Sequence, residues 1–448
     1  MRFRGLLAAA VVLAALAVGL YFSNKQKAAE ASKPPADAAP KVLSLTESQI
    51  AKISVKKKGG AETVLERNGV GKWVMVSPEY PADQDTVSQL VTAATNVTAD
   101  RVVEDKDSDP KAYGFDDPSL SVDITSKGGP EHLAIRVIKL RLGDDTPTNS
   151  GCYAMVEGDP RVFTVASYVK TGLDKTYNDL RDKRLLTVDQ DKLSRVELIA
   201  KKQDIEFGRD KDQWQIVKPK PVRADGSQID DLIRKVRDAK MDLSVSDEDA
   251  KKAAAAFASG TPIATVKLTD PTGTQQIEIR KNKDDYYAKS SMVAGVYKVP
   301  NDLGTAVDKG LDDFRNKRLF DFGFNDPSKI EMHDGGKSYT FQKTGDDWFS
   351  NGKKLDSISV QSFLDKLRDF SASKFIDSGE AGAQTMDVAV TWSDGKRTEK
   401  LLISKRGSDY IGKRDNEPSL YGLDAKNVDD LSKAAADVKP APPPPAKK

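Results

Sequence analysis

Three tryptophan-centred lines, each about one domain length from the next, constrain this chain more than any other feature. The first reads Gly-Lys-Trp-Val-Met-Val-Ser-Pro around Trp73, and the second Asp-Gln-Trp-Gln-Ile-Val-Lys-Pro around Trp214. A degenerate third, Asp-Asp-Trp-Phe-Ser, surrounds Trp348. Trp214 follows Trp73 by 141 residues and Trp348 follows Trp214 by 134, far beyond the ~20–50-residue period of a solenoid. Such a chain folds as tandem copies of one domain. Its 448 residues suit about three domains at ~100–200 residues each.

Behind each line stands an acidic residue and a helical apolar stripe. Asp83 leads to Val87, Leu90, Val91 and Ala94, Asp225 to Ile229, Leu232, Ile233 and Val236, and Asp356 to Val360, Phe363, Leu364 and Leu367. That spacing is one face of a helix. An aspartate just ahead of it suits an N-cap, its carboxylate accepting otherwise unpaired amide hydrogens, and not a catalytic acid. Short β-type runs surround the helices. Residues 329–334, Gly335-Gly336 and 337–341 read as a hairpin, and strands are expected at 121–125, 135–142 and 162–165, with counterparts at 266–268, 276–279 and 296–299.

Two more anchors repeat. Leu180-Arg-Asp-Lys-Arg-Leu-Leu186 matches Phe314-Arg-Asn-Lys-Arg-Leu-Phe320 at a spacing of 134, and Tyr297 follows Phe163 by the same 134. The expected fold class is α+β, with three tandem related modules of antiparallel sheet plus two helices each at 42–188, 189–322 and 323–439. They stand behind one N-terminal transmembrane helix (1–22) and a flexible tether (23–41), and a Pro-rich disordered tail (440–448) follows.

Residues 5–22 carry no charge and just reach spanning length. Arg2 and Arg4 precede them, as in a signal-anchor; a cleavable signal peptide cut near Ala17 and Gly19 is the alternative. The anchor predicts a single-pass protein of the inner (cytoplasmic) membrane whose bulk is extracytoplasmic, in the periplasm. Cys152 is the only cysteine and cannot form an intramolecular disulfide. The 70 basic and 68 acidic residues leave a net charge of +2, interspersed in sign, which argues against nucleic acid as a partner.

The sequence offers little chemistry. His132 and His333 fall in different modules, so a histidine zinc site or a Ser-His-Asp triad is unsupported. Gly336-Lys337-Ser338 lacks the earlier glycine of a phosphate loop, where Glu331 stands. Asp105, Asp107 and Asp109 alternate like the start of a calcium loop, but Pro110 and Asp116 replace its glycine and glutamate; a solvated acidic loop is expected, a weak calcium site being the alternative. No catalytic, cofactor-binding or metal residue is assigned, and no cofactor is expected. The candidate partner contacts are Arg181, Lys183, Arg184, Arg315, Lys317 and Arg318. At a helix C-terminus such cations complement the dipole; the competing use is contact with an anionic polymer, a lipid headgroup or a partner. The three tryptophans alternate with strand apolars and read as core anchors, sugar stacking being the alternative.

The Trp-x-x-x-x-Pro line, the Asp-capped helix, Tyr113-Gly114-Phe115-Asp116-x-Pro118 and the closing Arg-x-Lys-Arg-Leu-Leu together resemble the bacterial family known as domain of unknown function 4340. The resemblance covers most of residues 60–320, with a more divergent third copy in which residues 322–327 and 421–424 echo the Tyr-Gly-Phe line. It implies a membrane anchor, an extracytoplasmic α+β region and genes beside ATP-binding-cassette (ABC) export systems of the gliding-motility type. It supplies no activity and no catalytic residues. The functional expectation is a non-enzymatic, membrane-anchored scaffold or accessory of a membrane complex, an ABC-type transport system, with a transporter as partner. An envelope polysaccharide or peptidoglycan binding protein and a carboxylate-based hydrolase are the alternatives.

Overall fold

Alternating apolar and polar residues put one face of each strand in a core and the other toward water, and this chain closes three antiparallel sheets that way. The computed structural model describes residues 40–443 except 108, 128–134, 212, 245, 393–394 and 416. The expected anchor, nearly all of the tether, His132 and the end of the tail lie outside the described residues. No described helix is long and apolar enough to cross a membrane. Residues through Lys183 form one compact unit and those from Arg184 onward a second.

The first unit holds β1 (Ile50–Lys57), β2 (Glu62–Arg67), β3 (Trp73–Ser77), β4 (Glu79–Tyr80), β5 (Arg101–Glu104), β6 (Leu120–Ser126), β7 (Arg136–Asp145), β8 (Gly151–Val156) and β9 (Val162–Ala166). Their spatial order is β4-β3-β2-β1-β6-β7-β8-β9-β5. Its helices are α1 (Gln84–Thr95), α2 (Ser167–Leu173) and α3 (Tyr177–Leu180).

The second unit holds two sheets. One contains β10 (Arg195–Ala200), β11 (Gln203–Asp210), β12 (Gln213–Lys218), β13 (Val222–Arg223), β14 (Thr261–Asp270), β15 (Gly273–Asn282), β16 (Asp285–Ser290) and β17 (Tyr297–Val299), in the order β13-β12-β11-β10-β14-β15-β16-β17. With it go α4 (Gly226–Arg237), α5 (Asp247–Ser259), α6 (Asn301–Val307) and α7 (Leu311–Phe314). The other contains β18 (Lys329–Asp334), β19 (Lys337–Thr344), β20 (Asp347–Ser350), β21 (Lys353–Lys354), β22 (Lys374–Ile376), β23 (Ala383–Trp392), β24 (Arg397–Arg406), β25 (Asp409–Arg414) and β26 (Leu420–Leu423). It runs β21-β20-β19-β18-β23-β24-β25-β26-β22, beside α8 (Ser357–Asp369) and α9 (Ala425–Ala436). Among the described residues the second sheet shows one edge strand fewer, and otherwise the three orders are the same.

The three capped helices form as the spacing predicts. Asp83 accepts the Thr86 amide at 2.9 Å, Asp225 those of Ser227 and Gln228 at 3.1 and 3.4 Å, and Asp356 that of Ser359 at 2.9 Å. Their apolar stripes are buried in three separate cores. Trp73, Trp214 and Trp348 are 4, 6 and 7% exposed, so they anchor cores and offer no stacking platform. The Trp214 indole N–H donates to Asp230 at 3.0 Å.

The repeated basic line is a connector. Leu180 is buried in the first core, whereas Leu185, Leu186 and Val188 belong to the second. Phe314 is likewise in the second core and Leu319, Phe320 and Phe322 in the third. The expected module ends at 188 and 322 therefore fall too late by several residues, because the apolar half of each line packs forward. Each module is also laced shut on its own N-cap: the Asp83 amide donates to the Leu180 carbonyl (2.9 Å), that of Asp225 to Phe314 (2.7 Å) and that of Asp356 to Lys439 (2.9 Å). In the third module Pro440 bridges Leu355 and the Ala441 amide donates to Lys354. The expected tail thus begins inside the fold, where the basic line would stand.

Two further expectations are corrected. Tyr421-Gly422 is no copy of Tyr113-Gly114. The latter ends a 3-10 turn, with Gly114 at φ +75° and a virtual Cβ 2.6 Å from Asp144 Oδ1. Tyr421 instead lies in β26, the counterpart of β9. The second module also carries α5, a helix the two-helix plan omitted.

Candidate junction site

A concave site of the second unit lies where its two sheets meet. Short β13 delivers Arg223, the connector delivers Arg315, Asn316 and Asp321, and the β23–β24 hairpin and the β25–β26 end deliver Trp392, Glu399, Arg414 and Glu417. Arg223 is the hub. Its guanidinium donates to Asp321 Oδ1 and Oδ2 at 2.9 and 2.7 Å and to the Arg318 carbonyl at 2.6 Å, and its Nε lies 2.8 Å from Glu417 Oε1. Arg414, 7% exposed, holds Asp321 at 3.2 Å, Glu399 at 3.1 Å and Glu417 at 3.0 Å. The Asp321 amide donates to Glu399 Oε2 at 2.8 Å.

Two guanidiniums thus face three carboxylates. Burial raises the Glu399 carboxyl above its ordinary range, and the neighbouring Asp321 charge adds to that against the Asp321 amide and the arginines. Charge-assisted bonds of this kind are strong and directional, so the cluster fixes the two sheets against each other.

Arg315 forms a second lock. It is 2% exposed and donates to Ser419 Oγ at 2.9 Å, to Asp377 at 3.1 Å and to Asp312 at 3.0 Å. Its guanidinium carbon stands 3.7 Å from the Phe375 ring centroid, a cation–π contact. The Lys220 ammonium, donating to Asp377 at 2.8 Å, holds that carboxyl below its usual range, with help from Arg315.

The other sequence-predicted contacts divide. Arg181 and Arg315 occupy the same C-cap position, after α3 and α7, each bridged to the residue before an N-cap aspartate, Ala82 or Ala224. Arg181 lies over the Tyr80 ring at 4.0 Å. Arg184 and Arg318 form matching backbone bridges to Lys240 and Ser371. Lys183 is half-buried, and Lys317 and Arg318 are exposed. The Arg223 cluster itself carried no sequence signal, since its members are scattered from 223 to 417 and only folding assembles them.

Between the sheets lies a cleft of about 690 Å³, walled by Trp214, Arg223, Asp230, Asp321, Trp392 and Glu399 among others. Trp392 Nε1 is buried there with no hydrogen-bond partner among the described residues. In the first unit Asp107 and Asp109 accept the backbone amides of Asp109 and Lys111. Among the described residues no group of three His, Cys, Asp or Glu is placed to hold a metal ion. His333 is exposed and 3.0 Å from Asp387.

The sequence profile of one protein family, described as "Domain of unknown function (DUF4340)", matches the chain twice, over residues 73–215 and 214–389. No curated protein and no solved structure matches it.

Proposed function

For a chain that belongs to the DUF4340 family, we propose a non-enzymatic role as a membrane-anchored, extracytoplasmic adaptor of a membrane complex, of the ABC transport type. One observation carries the reading. The carboxylates gathered in the junction are held by guanidiniums and amides, so the charged groups lock modules together and are not poised for acid–base chemistry. The repeated lines act as connectors, and repetition of a module extends a binding surface. The exposed cations in the middle of the second line, Lys317 and Arg318, remain available to an anionic partner surface.

A second reading has its own support. In the cleft wall the Trp392 indole N–H is buried with no hydrogen-bond partner among the described residues, beside Gln213, Gln215 and Thr398, and a small opening of the wall would offer these groups to the hydroxyls of an envelope polysaccharide.

The test is photocrosslinking in intact cells from positions 317 and 318 of the full chain, with a topology reporter fused after Leu43. The adaptor reading expects an extracytoplasmic reporter and a crosslink to an integral membrane protein that Arg318→Glu abolishes. A crosslink to polysaccharide from a probe at 392 supports the second reading. A cytoplasmic reporter overturns both.

A further inference from the structure

One aromatic side chain of the second unit takes no part in its cores. Phe324 is 97% exposed, although the turn that carries it is pinned. Phe322 is buried in the third core, and the Asn325 amide donates to the Phe322 carbonyl at 3.0 Å. Arg368 donates to the Gly323 carbonyl at 2.7 Å and to Asp326 at 2.8 Å. In the line that this turn echoes, Phe115 is only 8% exposed. A phenyl ring held in water adds little to the fold, because its contribution comes from burial. On a fixed turn it is a stacking platform of the kind that the three buried tryptophans do not offer.

Phe324 lines a cleft of about 680 Å³ together with Asn325, Lys343 and Trp392. The half-buried Trp392 also lines the junction cleft, so the two clefts meet at its side chain. The junction cleft is polar: besides its two tryptophans it holds one aliphatic side chain, Ala224, and a peptide finds no apolar pocket there. Its charge is uneven. All three of its carboxylates are engaged, Asp230 by the Trp214 indole N–H at 3.0 Å, Asp321 by Arg223 at 2.7 Å and Glu399 by Arg414 at 3.1 Å. Lys396 and Arg397 are exposed and form no hydrogen bond or ion pair among the described residues. Arg397 is the cross-strand partner of Trp392, and its guanidinium carbon stands 5.1 Å from the indole centroid, which holds a cation beside the ring.

We propose that the path from Phe324 past Trp392 to Gln213 and Gln215 binds an acidic oligosaccharide, a chain of uronate sugars. Phe324 and Trp392 meet the apolar faces of the sugar rings. Lys396 and Arg397 meet their carboxylates, for which the arginine fork is matched in shape. Gln213, Gln215 and Thr398 meet their hydroxyls. A neutral glycan would leave both cations unused, and an acidic peptide would gain only the charge contacts. The assignment rests on the polysaccharide reading and specifies its ligand; the adaptor reading is independent of it.

The probes are hexamers of galacturonate, guluronate and mannuronate, each beside its uncharged methyl ester, titrated calorimetrically into the full chain in nanodiscs. The inference expects a uronate hexamer to bind about tenfold tighter than its ester, a difference of about 1.4 kcal/mol. The gap should shrink as salt is raised. Lys396→Gln with Arg397→Gln should erase it, and Phe324→Ala should weaken the hexamer without moving the melting curve. Gly226 lines the junction cleft, and a Cβ added there meets nothing within 4 Å, so Gly226→Tyr should block binding in a folded protein. Equal binding of every hexamer and its ester overturns the inference, as does hexamer binding that none of these variants changes, or equal binding of a polyglutamate peptide. Esters that bind as well as the acids, and are lost with Gly226→Tyr, leave the polysaccharide reading standing without its charge assignment. If no saccharide of either kind binds, both fall.

Discussion

Replacing Arg315 with methionine tests whether the basic line is structural. The guanidinium is 2% exposed, but its carboxylate partners Asp312 and Asp377 are 65 and 55% exposed. Those ion pairs are therefore worth only ~0–1 kcal/mol each, not the ~3–5 kcal/mol lost when a fully buried pair is broken. The Ser419 hydroxyl, 5% exposed, loses its donor, at the lower end of the ~1–3 kcal/mol for an unsatisfied buried group. The stack on Phe375 is worth ~0.5–2 kcal/mol, of which methionine regains part through its own sulfur–aromatic contact. The expected net loss is about 1–3 kcal/mol. Because a multi-domain chain does not melt in one step, the assay is denaturant-dependent hydrogen exchange followed peptide by peptide. The loss should appear from Arg184 onward and spare the unit around Trp73. A Lys317→Ala control, exposed, should stay within about 0.5 kcal/mol of wild type. The reasoning fails if Arg315→Met melts like wild type, or if the two variants are equally damaging.

Three other outcomes are expected. The raised Glu399 carboxyl means the folded state binds that proton more readily than the unfolded chain, so its ionisation opposes stability above the ordinary value of 4.5 and the cost fades on acidification. Glu399→Gln should therefore flatten the stability–pH curve of the second unit above that value; an unchanged curve by exchange at several pH values refutes it. Asp377 has the opposite sign: its lowered pKa stabilises above 3.8 and is lost as pH falls, so Asp377→Asn should remove part of the acid destabilisation in the same measurement. Gly114→Ala must place a Cβ at φ +75° and 2.6 Å from Asp144, and should cost the first unit roughly 1–3 kcal/mol in a thermal melt.

Much of the fold was legible because it rests on local signals. Asp83, Asp225 and Asp356 precede their stripes at cap spacing, and period-2 runs mark β6, β9, β15 and β17. Repetition did the rest, since a doubtful strand in one module could be checked against its counterpart. Where the copies diverge, the reading failed. The helix α5 had a signal of its own, Ser246 three residues before Asp249 and then an alanine run, but the expected plan came from its neighbours and hid it. The closing line of the third module was missed because Lys439-Pro440-Ala441 shares no side-chain chemistry with Leu180-Arg181-Asp182. What the three closures share is backbone hydrogen bonding, which does not depend on residue type.

The same distinction explains why the sequence alone groups the basic lines as one class. Sequence shows that Arg181 and Arg315 are repeated and says nothing of their surroundings. Arg315 becomes buried only because Phe375, Asp377 and Ser419 arrive from a later module, at sequence distances of 60 to 104 residues. Arg318, three residues on, is exposed and contributes its backbone: its carbonyl accepts from Arg223 and its bridge is to Ser371. One line therefore serves two ends. Its buried arginine and flanking apolars are fixed by packing, so charge reversal there should fail by unfolding. At Lys317 and Arg318 nothing in the cores constrains side-chain charge, and reversal should leave melting untouched. Any loss of partner crosslinking at those positions therefore reports on contact and not on folding.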